Sequence, residues 1–145
     1  IHFKKITTYV NNPEKQNMII MGKKTWQSLP VRPLPNRLNM ILSTHTPLEY
    51  PVTTNGAFKH AVCLNDAILS ADMDDSVESV YIIGGAQLYN YVLRENICTN
   101  IYVTKVEGSY ETDTFIKEID ENYYEIKDTR NGQECEYITY RRLKM

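Results

Sequence analysis

The stretch Ile82-Ile83-Gly84-Gly85-Ala86-Gln87-Leu88-Tyr89 decides how this sequence is interpreted. The apolar run that begins at Val80 is typical of a buried strand, and Leu88 and Tyr91 recur at helical spacing after it. The two glycines therefore stand where a strand ends and a helix begins, and they let a ligand approach the backbone closely. This pattern favours an anion held by the first N–H groups of the helix, although a tight turn without a ligand fits it equally.

Two other predicted strands end in side chains suited to anions. Met21-Gly22-Lys23-Lys24-Thr25-Trp26 follows one buried strand, and Leu42-Ser43-Thr44-His45 ends the next. Lysines do not stabilise the start of a helix, so Lys23 and Lys24 are interpreted as phosphate ligands, with solvated lysines as the alternative. Three such strand ends along one sheet edge suit an extended ligand with several phosphates, such as a dinucleotide. The usual G-x-G-x-x-G fingerprint of dinucleotide binding is absent.

A candidate carboxylate site lies between these segments. Arg37 follows the proline-stiffened loop Pro33-Leu34-Pro35-Asn36. A guanidinium held by a rigid loop can grip a carboxylate through two hydrogen bonds, and an ordinary surface arginine is the alternative. Asp113-Thr114-Phe115 is expected to be structural, capping a turn or bonding a neighbouring loop.

The remaining pattern predicts a single α/β domain over residues 1–145. We expect a mixed, mostly parallel central sheet flanked by helices, with a C-terminal antiparallel hairpin. Asn65 is the expected N-cap of one helix, and Asn131-Gly132 is the expected two-residue turn of the hairpin. Helices are predicted at 1–10, 23–29, 65–71 and 88–93, and strands at 17–21, 38–42, 61–64, 80–83, 100–106, 123–128 and 134–142.

Composition excludes several classes of protein. A net charge of −2 argues against a general nucleic-acid binder, and no run approaches the roughly 20 apolar residues of a membrane helix. The three cysteines and three histidines show no metal-ligand spacing, so no metal site is expected. Unpaired cysteines favour a reducing compartment, and we expect a cytoplasmic protein.

Taken in order with Phe3-Lys4-Lys5-Ile6-Thr7 and Ile101-Tyr102-Val103-Thr104, these segments resemble the dihydrofolate reductase family. The resemblance implies reduction of 7,8-dihydrofolate to tetrahydrofolate with NADPH, by hydride transfer from nicotinamide C4 to pterin C6 and protonation of N5. It also implies binding of antifolate inhibitors and a monomeric domain. The matching segments are Phe3-Lys4-Lys5-Ile6-Thr7, 21–30, 32–37, 83–89, Ile101-Tyr102-Val103-Thr104 and Asp113-Thr114-Phe115.

The resemblance also implies site residues. For the folate, these are Phe3 and Lys4, the channel wall Ser28, Leu29 and Leu34, the carboxylate clamp Arg37, and the Ile83 carbonyl with Thr104 at the pterin. For NADPH, they are Gly22, Lys23, Lys24, Thr25, Leu42, Ser43, Thr44, Gly84, Gly85, Ala86, Gln87, Leu88 and Tyr89. A cis peptide is implied at Gly84-Gly85. Catalytic roles are implied for Tyr89, near the nicotinamide, and for Thr104, which would fix the catalytic carboxylate.

Three departures from the family pattern matter. Many relatives carry a basic residue at the position of Thr44, and Ile116-Lys117 replaces an aromatic residue and a proline. The family's catalytic carboxylate, its flexible loop and its first strand lie upstream of the residue that matches Ile1. We therefore expect an N-terminally incomplete chain, or one completed by a second polypeptide. The alternatives are a fold-related pyrimidine reductase of riboflavin synthesis and a non-catalytic folate- and NADPH-binding fragment.

Overall fold

The computed structural model describes residues 2–31, 33–43, 57–95, 97–106, 123–132 and 135–143. The chain divides into two compact units, Ile1–Leu88 and Tyr89–Met145, so that helix α4 begins in the first and ends in the second. The helices are α1 (His2–Thr8), α2 (Lys23–Ser28), α3 (Leu64–Asp72) and α4 (Ala86–Arg94). The strands are β1 (Gln16–Gly22), β2 (Arg37–Leu42), β3 (Ala57–Ala61), β4 (Val77–Gly84), β5 (Asn100–Val106), β6 (Tyr124–Gly132) and β7 (Cys135–Arg142).

The first unit is built on a parallel sheet of strand order β3-β2-β1-β4. Strand β1 is central, and every side chain from Met18 to Met21 is fully buried. This burial on both faces explains the continuous apolar run in the sequence. Because Gly22 pairs with Leu42 and Met21 pairs with Gly84, the carboxyl ends of β1, β2 and β4 lie side by side.

One face of this sheet changes from polar to apolar along the strands. Side chains alternate between the two faces, so Asn17, Ile19 and Met21 share a face of β1. The register places Arg37, Asn39 and Ile41 beside them on β2. At the carboxyl end, Ile19, Met21 and Ile41 form a core cluster with Trp26 of α2, and burial of this tryptophan holds α2 against the sheet.

At the other end of that face, the buried Asn17 ties α1 to the sheet. Its amide donates to the carbonyls of Thr7 at 2.9 Å and Tyr9 at 2.8 Å, and its Oδ1 accepts from the Ser79 N–H at 3.2 Å. The chain leaving α1 is then held by the Glu78 carboxylate, which accepts from the N–H groups that follow Val10. These bonds satisfy backbone groups at the end of α1 and fix its position.

Two local predictions are wrong around α3. The strand expected at 61–64 lies earlier, at Ala57–Ala61, because its ladder with β2 stops where Leu42 pairs with Ala61. The helix begins at Leu64 and its N-cap is Cys63, so Asn65 does not cap it. Leu64, Ala67 and Ala71 are buried, and this apolar face decides where the helix starts.

The second unit contains an antiparallel sheet of order β5-β7-β6. The predicted C-terminal hairpin is confirmed, but its turn was misplaced. Asn131 pairs with Glu136 and Gly132 pairs with Cys135, so both residues belong to the ladder. The connecting residues 133–134 lie outside the described part of the chain. The register of the antiparallel ladder, rather than the local preference of Asn-Gly for a turn, therefore determines where the hairpin turns.

The predicted class, an α/β fold with a parallel sheet, flanking helices and an antiparallel hairpin, is confirmed. The described hydrogen bonds assign the parallel and antiparallel strands to two separate sheets. None of the described helices is long and apolar enough to cross a bilayer. In the described part of the chain, no group of three or more His, Cys, Asp or Glu side chains could hold a metal ion.

A pH-dependent stability change is expected for Tyr124→Phe. The Tyr124 hydroxyl donates to the Cys98 carbonyl at 2.7 Å, and burial, followed by the neighbouring Cys98, raises the pKa of Tyr124. Its stabilising contribution is therefore present below about pH 10 and is lost as the pH rises through the folded-state pKa. We expect the variant to lose about 1 kcal/mol at pH 7 and to show a shallower decline above pH 10 in urea unfolding. Tyr123→Phe is the control, and equal losses in the two variants would contradict the assignment.

Candidate functional site

The glycine turn and the start of α2 meet at the carboxyl edge of the parallel sheet. A Cβ atom built on Gly85 would lie 3.3 Å from the Thr25 Oγ1, and one built on Gly22 would lie 3.9 Å from the Gly84 carbonyl oxygen. Gly84 has a φ of 139°, a conformation that side chains with a Cβ rarely adopt. The Gly84-Gly85 peptide is cis, which confirms the expectation drawn from the resemblance. Two of the predicted phosphate segments thus form one surface.

The charged side chains at the start of α2 are both positive. Lys23 and Lys24 are exposed in the first turn of α2, which contains no acidic residue. The N-cap of α2 is Gly22, which has no side chain to accept hydrogen bonds from the first N–H groups of the helix. An anion is the partner that such a helix start favours, because the N-terminal dipole and the lysines have the same sign.

The third predicted strand end also reaches this edge. Leu42 ends β2 beside Gly22, and the buried Ser43 follows it, its N–H bonded to the Ala61 carbonyl. The His60 Nε2 lies 3.1 Å from the Ser43 carbonyl oxygen. Thr44 lies outside the described residues, as does Asp113-Thr114-Phe115.

The end of β4 carries an irregularity at Ile83. Ile20 pairs with Ile82 and Met21 pairs with Gly84, so Ile83 has no partner residue in β1. Such bulges redirect the chain and free backbone groups, and they are frequent beside binding sites. The Ile83 side chain packs on the core cluster, which leaves its backbone as the part able to contact a ligand.

Arg37 is held at the amino end of β2 with its side chain buried. Only 3% of the residue is exposed, and its Nε donates to the Pro35 carbonyl at 3.0 Å. Its Nη1 donates at 3.0 Å to the Thr7 Oγ1, which in turn donates at 2.9 Å to the Phe3 carbonyl. The guanidinium carbon lies 5.9 Å from the centre of the Phe3 ring. The predicted surface-arginine alternative is therefore wrong.

The electrostatics of Arg37 point to an anionic partner. Burial lowers the pKa of Arg37, because a charged guanidinium loses hydration there. None of the ion pairs in the described part of the chain involves Arg37. A buried charge without a counterion is costly, and a ligand carboxylate would relieve that cost.

The other predicted folate contacts differ in placement. Phe3 is 47% exposed and Lys4 is exposed, on the same helix as Thr7. Leu29 and Leu34 both pack against the core cluster around Trp26 and are partly accessible. The Ser28 hydroxyl donates to the Thr25 carbonyl of its own helix at 2.8 Å.

Tyr89 and Thr104 belong to the second unit. Tyr89 lies on α4 directly after Ala86, Gln87 and Leu88, and burial raises the pKa of its hydroxyl, which stays neutral at physiological pH. Thr104 lies in β5, where its backbone pairs with Tyr137.

Three buried polar residues of the first unit escaped the sequence-based interpretation as site residues. They are Thr7, Asn17 and Asn39, and their exposed fractions are 3%, 0% and 0%. Asn39 lies between the apolar residues Leu38 and Met40, and this interruption is the signal that could have marked it, whereas Asn17 follows Gln16 at the polar start of β1. A buried asparagine must find hydrogen-bond partners, and here the partners are the segments that carry Phe3 and Arg37.

Comparison with known proteins identifies the family. A family model described as dihydrofolate reductase matches residues 1–144. The chain belongs to the dihydrofolate reductase family. A dihydrofolate reductase of Candida albicans is 37% identical over 122 residues, which are 80% of this chain and 60% of that protein. A dihydrofolate reductase of Sus scrofa is 34% identical over 136 residues, covering 90% of this chain and 71% of that protein.

Some relatives in the dihydrofolate reductase family are much longer. A bifunctional dihydrofolate reductase-thymidylate synthase of Zea mays is 37% identical over 124 residues, covering 81% of this chain. The matched region is 23% of the maize protein, 24% of a similar protein of Daucus carota and 60% of the Candida albicans protein.

The glycine turn can be tested by stability. Gly84→Ala is expected to reduce the free energy of unfolding by roughly 1–3 kcal/mol, since φ is 139° there. Gly22→Ala is the matched control, because Gly22 has a φ of −76° and space for a Cβ atom. We expect the control to change stability by less than about 0.5 kcal/mol in urea unfolding. Equal losses in both variants would show that the backbone conformation of Gly84 is not the cause.

Proposed function

We propose that this chain binds NADPH and 7,8-dihydrofolate and catalyses NADPH-dependent reduction to 5,6,7,8-tetrahydrofolate. The observation that carries the proposal is the buried Arg37 guanidinium, fixed by Thr7 and Pro35 and placed over Phe3. Membership of the dihydrofolate reductase family supports the choice of folate as the carboxylate-bearing ligand.

Arg37 would bind the α-carboxylate of the glutamate tail. Its Nε and Nη1 each already hold a described acceptor, which fixes the plane of the guanidinium before a ligand arrives. Nη2 is left to approach a carboxylate, together with the second N–H of Nη1. Lys4, one residue from Phe3 on α1, would add a second positive charge near the tail.

Apolar side chains near Arg37 would take the aromatic part of the folate. Phe3 is 47% exposed although it lies beneath a buried cation, so one side of its ring is open to a flat ligand. Leu29 and Leu34 would wall the channel, with Ser28 at its rim. The Ile83 carbonyl and Thr104 would fix the pterin amino group, and the neutral Tyr89 hydroxyl would lie near the nicotinamide.

The surface formed by Gly84, Gly85 and the start of α2 would suit the phosphates of a dinucleotide. A Cβ atom at Gly85 would press on Thr25, so only glycine leaves the backbone open beside this hydroxyl. When bound, NADPH supplies the hydride. Its phosphates would be held by the N-terminal side of α2, by the residues after β2 and by the start of α4. The residues proposed to hold NADPH are Gly22, Lys23, Lys24, Thr25, Leu42, Ser43, Thr44, Gly84, Gly85, Ala86, Gln87, Leu88 and Tyr89.

Location, assembly and inhibitor binding follow from the same proposal. Cys63 and Cys98 are free, in keeping with a cytoplasmic location. We propose that residues 1–145 belong to a single domain that is monomeric and also binds antifolate inhibitors, since these occupy folate subsites. These assignments are open to sizing chromatography and to thermal shift with methotrexate.

Turnover measurements test the proposed function and its alternatives. The loss of NADPH absorbance is followed with dihydrofolate and, in parallel, with the phosphorylated pyrimidine of riboflavin synthesis. Reduction of dihydrofolate alone supports the proposal, and reduction of the pyrimidine alone overturns it. Binding of NADPH and methotrexate without turnover of either substrate favours the non-catalytic fragment.

The carboxylate clamp is tested by Arg37→Lys. Lysine cannot reproduce the fixed, two-pronged guanidinium, and the loss of one charge-assisted bond pair is expected to raise KM for dihydrofolate roughly 10- to 100-fold. kcat should change little, because the tail is remote from the reacting atoms. Arg94→Lys is the control, since Arg94 also stacks on a ring, that of Tyr91 at 5.5 Å, but is exposed. Equal KM values for the wild type and Arg37→Lys would refute the clamp.

A further inference from the structure

Asn39, in the middle of β2, is a buried polar residue to which the proposed function assigns no role. The residue is fully buried, and its strand neighbours Leu38, Met40 and Ile41 are buried and apolar. An amide in such a place lowers the stability of the fold unless its hydrogen bonds are made. A hydrophobic residue would satisfy the strand equally well, so the partners of Asn39 show what the amide does.

The Asn39 side chain bonds to the proline loop and to Arg37, which follows that loop. Its Oδ1 accepts from the Leu34 N–H at 2.9 Å, and its Nδ2 donates to the Leu34 carbonyl at 3.0 Å. The same Nδ2 donates to the Arg37 carbonyl at 3.0 Å. The side chain thus pairs with Leu34 through both backbone groups, much as a neighbouring strand would.

These bonds close the loop between Leu34 and Arg37 at both ends. The loop contains Asn36 in the left-handed region, at a φ of 63°, and the Pro35 carbonyl that accepts from the Arg37 Nε. A shift of Leu34 would therefore move the acceptor that orients the guanidinium. Leu34 also packs on the core cluster, so the amide couples the guanidinium to the rigid part of the sheet.

We propose that Asn39 is a positioning residue for the carboxylate clamp, a role that rests on the proposed function of Arg37. It contacts no ligand in this role. It holds the Pro33–Asn36 loop so that the guanidinium presents its free N–H groups in one orientation, and small misplacements of such groups are costly to binding. The consequence is selective: ligands that carry the tail carboxylate depend on Asn39, and ligands without the tail do not.

Asn39→Ser tests this selectivity. Serine shortens the side chain and cannot bond both Leu34 groups and the Arg37 carbonyl at once. The dissociation constants of dihydrofolate and of a dihydropterin without the benzoylglutamate tail are measured calorimetrically with NADP⁺ present, because this oxidised cofactor cannot reduce either ligand during the titration. We expect dihydrofolate to bind about 5- to 10-fold more weakly, as for the loss of a hydrogen bond, with the dihydropterin within about twofold of the wild type.

Met40→Ala is the matched control, because Met40 is 1% exposed in the same strand but faces away from the loop. It should lower stability without changing the ratio of the two dissociation constants. Asn39→Thr, a better strand former, replaces Asn39→Ser if the latter does not fold. A double variant with Arg37→Lys should show no further loss of dihydrofolate affinity beyond Arg37→Lys alone, since both substitutions disable one clamp.

The outcomes separate the two proposals. Equal weakening of both ligands by Asn39→Ser, or full additivity in the double variant, overturns the positioning role while the Arg37 clamp stands. If Arg37→Lys itself leaves the ratio of the two dissociation constants unchanged, the clamp in the proposed function fails and the positioning role fails with it. Selective weakening of dihydrofolate by both substitutions supports both proposals.

Discussion

The register of β1 between β2 and β4 is the constraint on which the rest of the first unit depends. Pairing Gly22 with Leu42 and Met21 with Gly84 brings three carboxyl ends to one edge. The segments that follow those strands therefore begin close to one another. The Thr25 hydroxyl consequently lies near the Gly85 backbone, where an added Cβ atom would be 3.3 Å from it, and the exposed Lys23 and Lys24 lie beside them. A slip of one residue would reverse the faces of β1 and destroy both the core cluster and this edge.

The same register places a second candidate site, around Arg37, at the opposite end of the strands. There the shared face of β1 and β2 is polar, and the buried Asn17, Arg37 and Asn39 are its members. The two asparagines are bonded to segments that carry proposed folate contacts: Asn17 to the end of α1, and Asn39 to the proline loop. Burying polar groups costs free energy, and here the hydrogen bonds of Asn17 and Asn39 hold the two segments next to the Arg37 guanidinium.

Several features followed directly from the order of residues. The strands β1, β2 and β4 were predictable because continuous apolar runs bounded by glycine or proline leave few alternatives. The expected burial of β4 is wrong, since Val80 is 38% exposed and Gly84 is the one buried residue of this strand. The start of α2 and the C-terminal hairpin were likewise predictable. The predicted boundaries were wrong where two signals competed. The apolar face of α3, rather than Asn65, determines where that helix begins, and the ladder register, rather than Asn131-Gly132, determines where the hairpin turns. Family membership was also evident from the motifs, since their order and spacing are far more specific than any one of them.

The sequence by itself determined the α/β class, the strand ends rich in glycine, lysine and hydroxyl groups, and the family to which the chain belongs. Only the tertiary structure decided that Arg37 is buried rather than exposed, and that Thr7 and Phe3 surround it. Only the tertiary structure likewise showed that Asn39 closes the loop. The physical reason is distance along the chain. Periodicity and propensity report on neighbours within a few residues, whereas Thr7 and Arg37 are 30 residues apart and meet only through strand pairing.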